Sequence, residues 1–295
     1  MRSDRPQSKW SLEWFCRLAQ GAFALVVASA GVANATIVRF ETVLGNIDVR
    51  LYDTRTPLTA QNFMNYVEDG DWNDTFFHRS VPGFVVQGGG FKFTDAGGVS
   101  SVPQDPAVLN EPGLTNVRGT IAMAKLGDNP NSATNQWFFN LANNASNLDN
   151  QNGGFTVFGR VLGNGMSVVD AIAALPRVNA GGAFDNLPVR NFAGGNIYDE
   201  NLVNVTRIIQ RDLPAGDYNF DGVVNNADYL VWKNSFGSRT LAEADGNGDG
   251  VVNSADYTVW RDSMLAAGQS VAIPEPTSAA IVVLGLLGAG LRRRG

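Results

Sequence analysis

Cysteine and histidine are almost absent from this chain: each occurs once, as Cys16 and His78. Cys16 falls in a stretch that reads as a removable leader. Arg2, Arg5, Lys9 and Arg17 precede an apolar run over 18–32, and Ala33-Asn34-Ala35 offers small residues for cleavage. With cleavage after Ala35 the exported chain has no thiol, which excludes disulfides, a cysteine nucleophile and thiolate-bound metal together. Positive charge is scarce too. The 22 Lys and Arg residues against 28 Asp and Glu leave a formal charge of −6, and no basic footprint for nucleic acid or an anionic membrane. Gly88-Gly89-Gly90 lacks the Lys and Ser/Thr that a phosphate loop would place after it. At 295 residues and 44% hydrophobic, the chain has enough for one ordinary core and a minor module.

What is present between 36 and 210 is alternation. Val38 and Phe40, then Ile47, Val49 and Leu51, mark one face of an antiparallel hairpin turning at Gly45-Asn46. A helical stretch over 59–69 carries Phe63, Tyr66 and Val67 on one side and stops at Gly70. Short apolar runs over 84–87, 119–124, 137–141 and 155–161 are bounded by Gly, Pro and Asn, and Gly163-Asn164-Gly165 reads as a turn. A second helix over 166–175 ends at Pro176, and Val203, Val205 and Ile208 read as a last strand. Many short strands with two helices predict a mainly β fold, a sandwich or barrel.

Five segments carry a resemblance: Phe76-Phe77-His78-Arg79, the run from Pro82 to Gly89, the run from Gly119 to Ala124, the run from Asn135 to Asn140, and Val157-Phe158-Gly159-Arg160-Val161. In order and spacing they resemble the cyclophilins, the bacterial secreted branch most closely. The resemblance implies a closed eight-stranded antiparallel β-barrel with two helices and peptidyl-prolyl cis/trans isomerase activity without a cofactor. It makes Arg79, Gln87 and Gln136 the catalytic set, and Phe84, Val85, Met123, Ala124, Phe138 and Leu148 the substrate-binding residues. The chemistry agrees with these residue types. Delocalisation of the nitrogen lone pair gives a peptide bond a barrier of ~18–20 kcal/mol, and X-Pro bonds turn over in tens to hundreds of seconds. No bond breaks, so a donor toward the twisted prolyl nitrogen and an apolar grip on the ring suffice. A charge-assisted hydrogen bond from Arg79 is worth ~1.5–3 kcal/mol. A ten-thousand-fold acceleration needs about 5.4 kcal/mol, so Arg79 acts with its neighbours. His78 reads as a structural neighbour, because the reaction needs no proton transfer. Two positions depart from the family pattern: Asn147 stands where many members have Trp, and Phe155 where many have His. The first predicts weak cyclosporin binding.

The acidity concentrates late: 212–270 holds nine Asp and Glu against three Lys and Arg. It resolves into two copies of one pattern, twenty-eight residues apart. Asp217, Asn219, Asp221, the Val223 carbonyl, Asn225 and Asp228 form the first set, and Asp245, Asn247, Asp249, the Val251 carbonyl, Asn253 and Asp256 the second. Oxygen donors at loop positions 1, 3, 5, 7, 9 and 12, with Gly222 and Gly250 at position 6, suit Ca²⁺, one ion per loop. Each loop leads into an apolar helical stripe, Tyr229, Trp232 and Phe236, then Tyr257, Trp260 and Met264. The pattern resembles dockerin, which implies a cohesin-like partner. Asn226-Ala227 and Ser254-Ala255 stand at the partner-selecting positions in place of the Ser/Thr pairs of cellulosomal dockerins.

Pro274-Glu275-Pro276, an apolar stretch over 277–291 and Arg292-Arg293-Arg294 are similar to a PEP-CTERM sorting tail, which implies processing by an exosortase. The expected organisation is a signal peptide over 1–35, an isomerase domain over 36–210, a dockerin-like module over 211–270 and a sorting or membrane tail over 271–295. The expected protein is exported: periplasmic, cell-surface or extracellular. The competing reading is a non-catalytic module of the same fold that binds proline-containing peptides, against which the intact Arg79, Gln87, Gln136 and Phe138 count.

Overall fold

The computed structural model describes residues 36–94, 98–239 and 243–268; the expected leader and sorting tail lie outside them. The opening hairpin pairs β1 (Ile37–Thr42) with β2 (Gly45–Leu51), setting Val38 opposite Val49 and Phe40 opposite Ile47. After α1 (Pro57–Asp69) come β3 (Thr75–Phe76), β4 (Arg79–Val81), β5 (Val85–Gly88), β6 (Phe91–Phe93), β7 (Val99–Ser101), β8 (Thr120–Met123) and β9 (Trp137–Asn140). The short α2 (Ala145–Leu148), β10 (Val157–Val161), α3 (Gly165–Ala174), a small ribbon of β11 (Arg177–Val178) with β12 (Leu187–Pro188), and β13 (Asn204–Arg211) complete this part.

Eleven of these strands form one antiparallel sheet in the order β4-β5-β9-β8-β10-β2-β1-β13-β3-β6-β7. The fold is mainly β, as the alternation implied, but the strands are shorter and more numerous than eight. Register shifts between Glu41 and Thr42 and between Val157 and Gly159 bend the sheet. Gly159 lets β10 and β2 approach, since a Cβ there would lie 2.7 Å from the Arg50 carbonyl oxygen.

One face of the sheet encloses an aromatic core. Trp137 meets Phe40 edge-on at 5.0 Å and Phe77 and Phe139 at 5.5 Å, and Phe63 lies 4.5 Å from Trp72. Such contacts add ~0.5–1.5 kcal/mol each beyond the area they bury. The α1 helix closes this core with Phe63 and Tyr66. It starts on Pro57, whose missing N–H costs nothing at a helix start, and stops at Gly70 in the left-handed region (φ 71°). Its first turn contains no acid; Glu111, 52 residues after Thr59, accepts from the Thr59 amide and hydroxyl, both at 2.8 Å.

The C-terminal module consists of two loop-helix units, α4 (Asn226–Ser235) and α5 (Ser254–Ala266). They exchange hydrogen bonds: Trp232 Nε1 donates to the Asn253 carbonyl and Trp260 Nε1 to the Asn225 carbonyl, both at 2.8 Å. Tyr218, Trp260 and Met264 are buried in the module's core. Phe236 differs from the expected stripe. It follows the last turn of α4, stacks edge-on against Trp232 at 5.2 Å and stays 58% exposed, because the chain leaves the helix there.

The module is fastened to the sheet by a buried cation. Arg50 on β2 is 3% exposed, donates to the carbonyls of Asp245 at 2.7 Å and Glu243 at 3.1 Å, and lies 5.9 Å from the Phe220 ring centre. Burial lowers its pKa, and the nearby Asp245 charge opposes that shift. Hydrogen bonds to charged groups contribute ~1.5–3 kcal/mol each, and a carbonyl left unpaired in the interface loses that. Arg50→Met is therefore expected to uncouple the parts. Differential scanning calorimetry should resolve two unfolding transitions, with the module melting first, where the unaltered chain melts in one.

Candidate functional site

The sheet register assembles the outer face. Arg79 on β4 pairs with Gln87 on β5, Gln87 with Phe138 on β9, Phe138 with Ala122 on β8, and Ala122 with Val157 on β10. Directly paired residues share a face, so these five form one row across five strands. The neighbouring row, Ser80, Val86, Phe139 and Ile121, points inward. Strand alternation thus divides consecutive residues between core and groove.

A cavity of about 180 Å³ opens on the outer row. Of the residues expected to make the site, Arg79, Phe84, Val85, Gln87, Ala124, Phe138 and Leu148 line it. Phe155, Lys125 and Gln151 line it as well, and Phe155 meets Phe138 edge-on at 5.9 Å. Gln136 lies beside it and lines an adjoining cavity of about 340 Å³, which shares Gln87, Ala124 and Lys125 but does not include Arg79. Gln87 Nε2 donates to Gln136 Oε1 at 2.8 Å, so the two amides act as one polar rim.

Met123 does not join this group. It is fully buried in the inner core with Ile121 and Phe139, because alternation along β8 turns Ala122 outward. Asn147 is exposed on α2 and forms no wall of the cavity, while the next residue, Leu148, does. His78 is 1% exposed, with its ring edge-on to Phe91 at 4.9 Å. Burial first, then the Arg79 charge, lowers its pKa to about 4, so it is neutral at neutral pH. Lys125 and Gln151 were not read from the sequence; Lys125 directly follows the outward-facing Ala124, and that position was the available signal.

The two acidic loops have the same internal wiring. The Asn225 side chain accepts from the Ala227 amide while Asp228 Oδ2 accepts from the Asn225 amide, and Asn253 and Asp256 repeat both bonds. The residues at loop positions 9 and 12 are thus also helix caps. Asp217 and Asp245 accept from the position-6 glycine amides at 2.8 and 2.9 Å. Asp217, Asp228, Asp245 and Asp256 are all buried. Burial raises the pKa of Asp217, Asp245 and Asp256, and neighbouring carboxylates add to the rise. Among the described residues no three His, Cys, Asp or Glu side chains converge as a ready cluster. Each loop instead mixes carboxylates with Asn amides and a main-chain carbonyl. Buried, mutually repelling carboxylates among hard oxygen donors fit Ca²⁺.

Residues 37–192 match the family model described as cyclophilin type peptidyl-prolyl cis-trans isomerase, more than half of the chain. The chain belongs to the cyclophilin-type isomerases. Residues 215–264 match the dockerin type I domain. A peptidyl-prolyl cis-trans isomerase of Acinetobacter baylyi is 42% identical over 165 residues, 56% of this chain and 85% of that one. Peptidyl-prolyl cis-trans isomerase A of Dickeya dadantii is 42% identical over 159 residues, covering 52% and 80%. A crystal structure of a cyclophilin-type isomerase from Cryptosporidium parvum aligns over 61% of this chain and 99% of its own, at 21% identity and TM-score 0.46.

In this cyclophilin-type chain the triple glycine serves packing. A Cβ on Gly88 would lie 2.6 Å from the Trp137 ring, and one on Gly89 2.5 Å from the Asn135 carbonyl oxygen. A Cβ on Gly90 would instead meet the flexible Gln136 side chain at 2.9 Å. Gly90→Ala is expected to displace the Gln136 amide from Gln87 and lower kcat/KM several-fold with little loss of thermal stability. Gly89→Ala, where φ is +84° and the obstacle is backbone, should lower the melting temperature sharply; parallel activity and melting measurements separate the two.

Proposed function

We propose that Arg79, Gln87 and Gln136 catalyse rotation about X-Pro bonds in exported or surface-displayed polypeptides. The observation that carries this is the outer row, which sets the Arg79 guanidinium and the Gln87–Gln136 amide pair beside the apolar Phe138 cavity. Phe84, Val85, Phe138 and Leu148 hold the prolyl ring, Ala124 lines its approach, and the glutamines hold the substrate backbone. As the bond twists, the nitrogen lone pair localises and becomes an acceptor. Arg79 is permanently charged and fork-shaped, so it can donate there and to the adjacent carbonyl. That donation is stronger to the twisted state than to the planar ground state, which is the condition for acceleration. His78, neutral and enclosed, takes no part as acid or base.

The eleven short strands correspond in this reading to a closed eight-stranded barrel over 36–210, with the groove on its outside. The module over 211–270 holds two Ca²⁺ ions and docks on a cohesin-like protein; dockerin modules occur in extracellular or cell-surface proteins. Asp217, Asn219, Asp221, Val223, Asn225 and Asp228 hold one ion, and Asp245, Asn247, Asp249, Val251, Asn253 and Asp256 the other. A leader over 1–35 and an exosortase-processed tail over 271–295 are consistent with such a place. Among the described residues no helix is long and apolar enough to cross a membrane.

Arg79→Ala is expected to lose roughly a hundredfold or more in kcat/KM on a prolyl peptide, with melting unchanged. Arg79→Lys should recover little, since it keeps the charge and loses the fork. An Arg79→Ala chain with unaltered turnover would remove Arg79 from the mechanism. Calcium added to the metal-stripped chain is expected to bind at two ions per chain by titration calorimetry and to shift tryptophan fluorescence. Asp245→Ala should reduce the stoichiometry to one.

A further inference from the structure

Lys125 occupies an unusual setting. Its ammonium donates to the carbonyls of Gly154 at 2.6 Å and Asn152 at 2.8 Å, with Asn110 Oδ1 at 3.4 Å, and lies 4.8 Å from the centre of the Phe155 ring. The loop that supplies these carbonyls contains three successive residues with positive φ, Asn152 (φ 49°), Gly153 (φ 74°) and Gly154 (φ 79°). Gly153 and Gly154 adopt positive φ at no steric cost, so the backbone strain falls on Asn152. Two amides tie the same loop: Asn110 Nδ2 donates to the carbonyls of Gly153 at 2.8 Å and Gly154 at 3.0 Å, and Asn152 Nδ2 to the Leu126 carbonyl at 2.8 Å. Phe155 follows directly and forms a wall of the Arg79 cavity against Phe138.

We infer that Lys125 is a positioning residue for the prolyl pocket: its ammonium gathers the Asn152 and Gly154 carbonyls and, over the Phe155 face, holds that ring where it closes the pocket. This rests on the assignment of the Arg79 groove as the site. Carbonyls turned to one point repel each other and need a cation or water. The Lys125 ammonium, two residues past the end of β8, provides the cation and adds cation–π attraction to the ring. With the usual Trp replaced by the exposed Asn147, Phe155 is the aromatic left to face Phe138 on that side. Lys125 acts on the pocket and not on the twisting bond, so its effect belongs in substrate binding.

The test uses the full chain and a prolyl peptide, with KM and kcat from NMR exchange rates. Lys125→Met keeps the length and removes the charge. It is expected to raise KM roughly five- to tenfold with kcat within about twofold. Lys125→Arg, which can still reach the carbonyls with a cation, should return KM to within about twofold of the unaltered value. If Lys125→Met does not fold, Asn110→Ala, which frees the same loop carbonyls, should raise KM in the same direction. An unchanged KM in these variants, or a loss of kcat that Lys125→Arg does not relieve, would overturn the inference. Arg79→Ala is measured alongside: if it retains turnover the site assignment fails, whereas an inactive Arg79→Ala with an unchanged Lys125→Met KM refutes the role of Lys125 alone.

Discussion

Strand β9 has two jobs. Trp137 and Phe139 point into the enclosed core, where Trp137 touches rings from β1 and from the segments around Phe77 and Trp72. Phe138, between them, points out, with Gln136 beside it at the strand's edge. The two faces cannot be moved independently. A one-residue slip of β9 would drive Phe138 inside and expose two large aromatic rings, losing several kcal/mol for each by ~25 cal/mol per Å² of apolar area. The packing of the core therefore fixes the position of the groove. Gly88 and Gly89 belong to the same constraint, since they leave room for the Trp137 ring on the neighbouring strand.

Local signals in the sequence carried most of this. Alternation, turn residues and the Gly70 stop of α1 act within a few residues, so they could be read directly, although the helix begins at Pro57, two residues before the expected start. The groove set was legible as motifs, and the register then brought Arg79, Gln87 and Phe138 into one row. Met123 was the residue misread: its place between Ala122 and Ala124 on an alternating strand argued for the core, and the motif hid that. Other features depend on contacts distant along the chain. Glu111 caps a helix 52 residues before it, and Arg50 seats a loop 195 residues after it. Nothing local marks either residue, although a charged Arg50 within an apolar strand was a hint. The number of strands was not legible either, because bends and bulges depend on how the sheet curls around its core.

The C-terminal module repeats one unit, and the repeat is nearly symmetric in its hydrogen bonds. Asn225 and Asn253 cap their helices alike, and the two Trp side chains reach across to each other's loops. The symmetry is broken by the sheet. Arg50 binds the second loop at Asp245, Thr54 approaches Gly248 at 3.4 Å, and Trp260 is more deeply buried than Trp232. The second loop is thereby tied to the sheet by hydrogen bonds, whereas the first meets it through the Phe220 ring beside Arg50. Carboxylates crowded in low-dielectric surroundings repel strongly, and a divalent cation relieves that repulsion as folding free energy.

The account stands on the claim that the groove turns X-Pro bonds over and does not merely hold them. Two-dimensional NMR exchange spectroscopy on a prolyl peptide, with the unaltered full chain at a few hundredths of the peptide concentration, measures this directly. The account predicts cis–trans exchange peaks within a mixing time of under a second, against tens to hundreds of seconds for the free peptide. Peptide resonances that shift on binding while no exchange peaks appear would contradict it and leave the groove a binding surface.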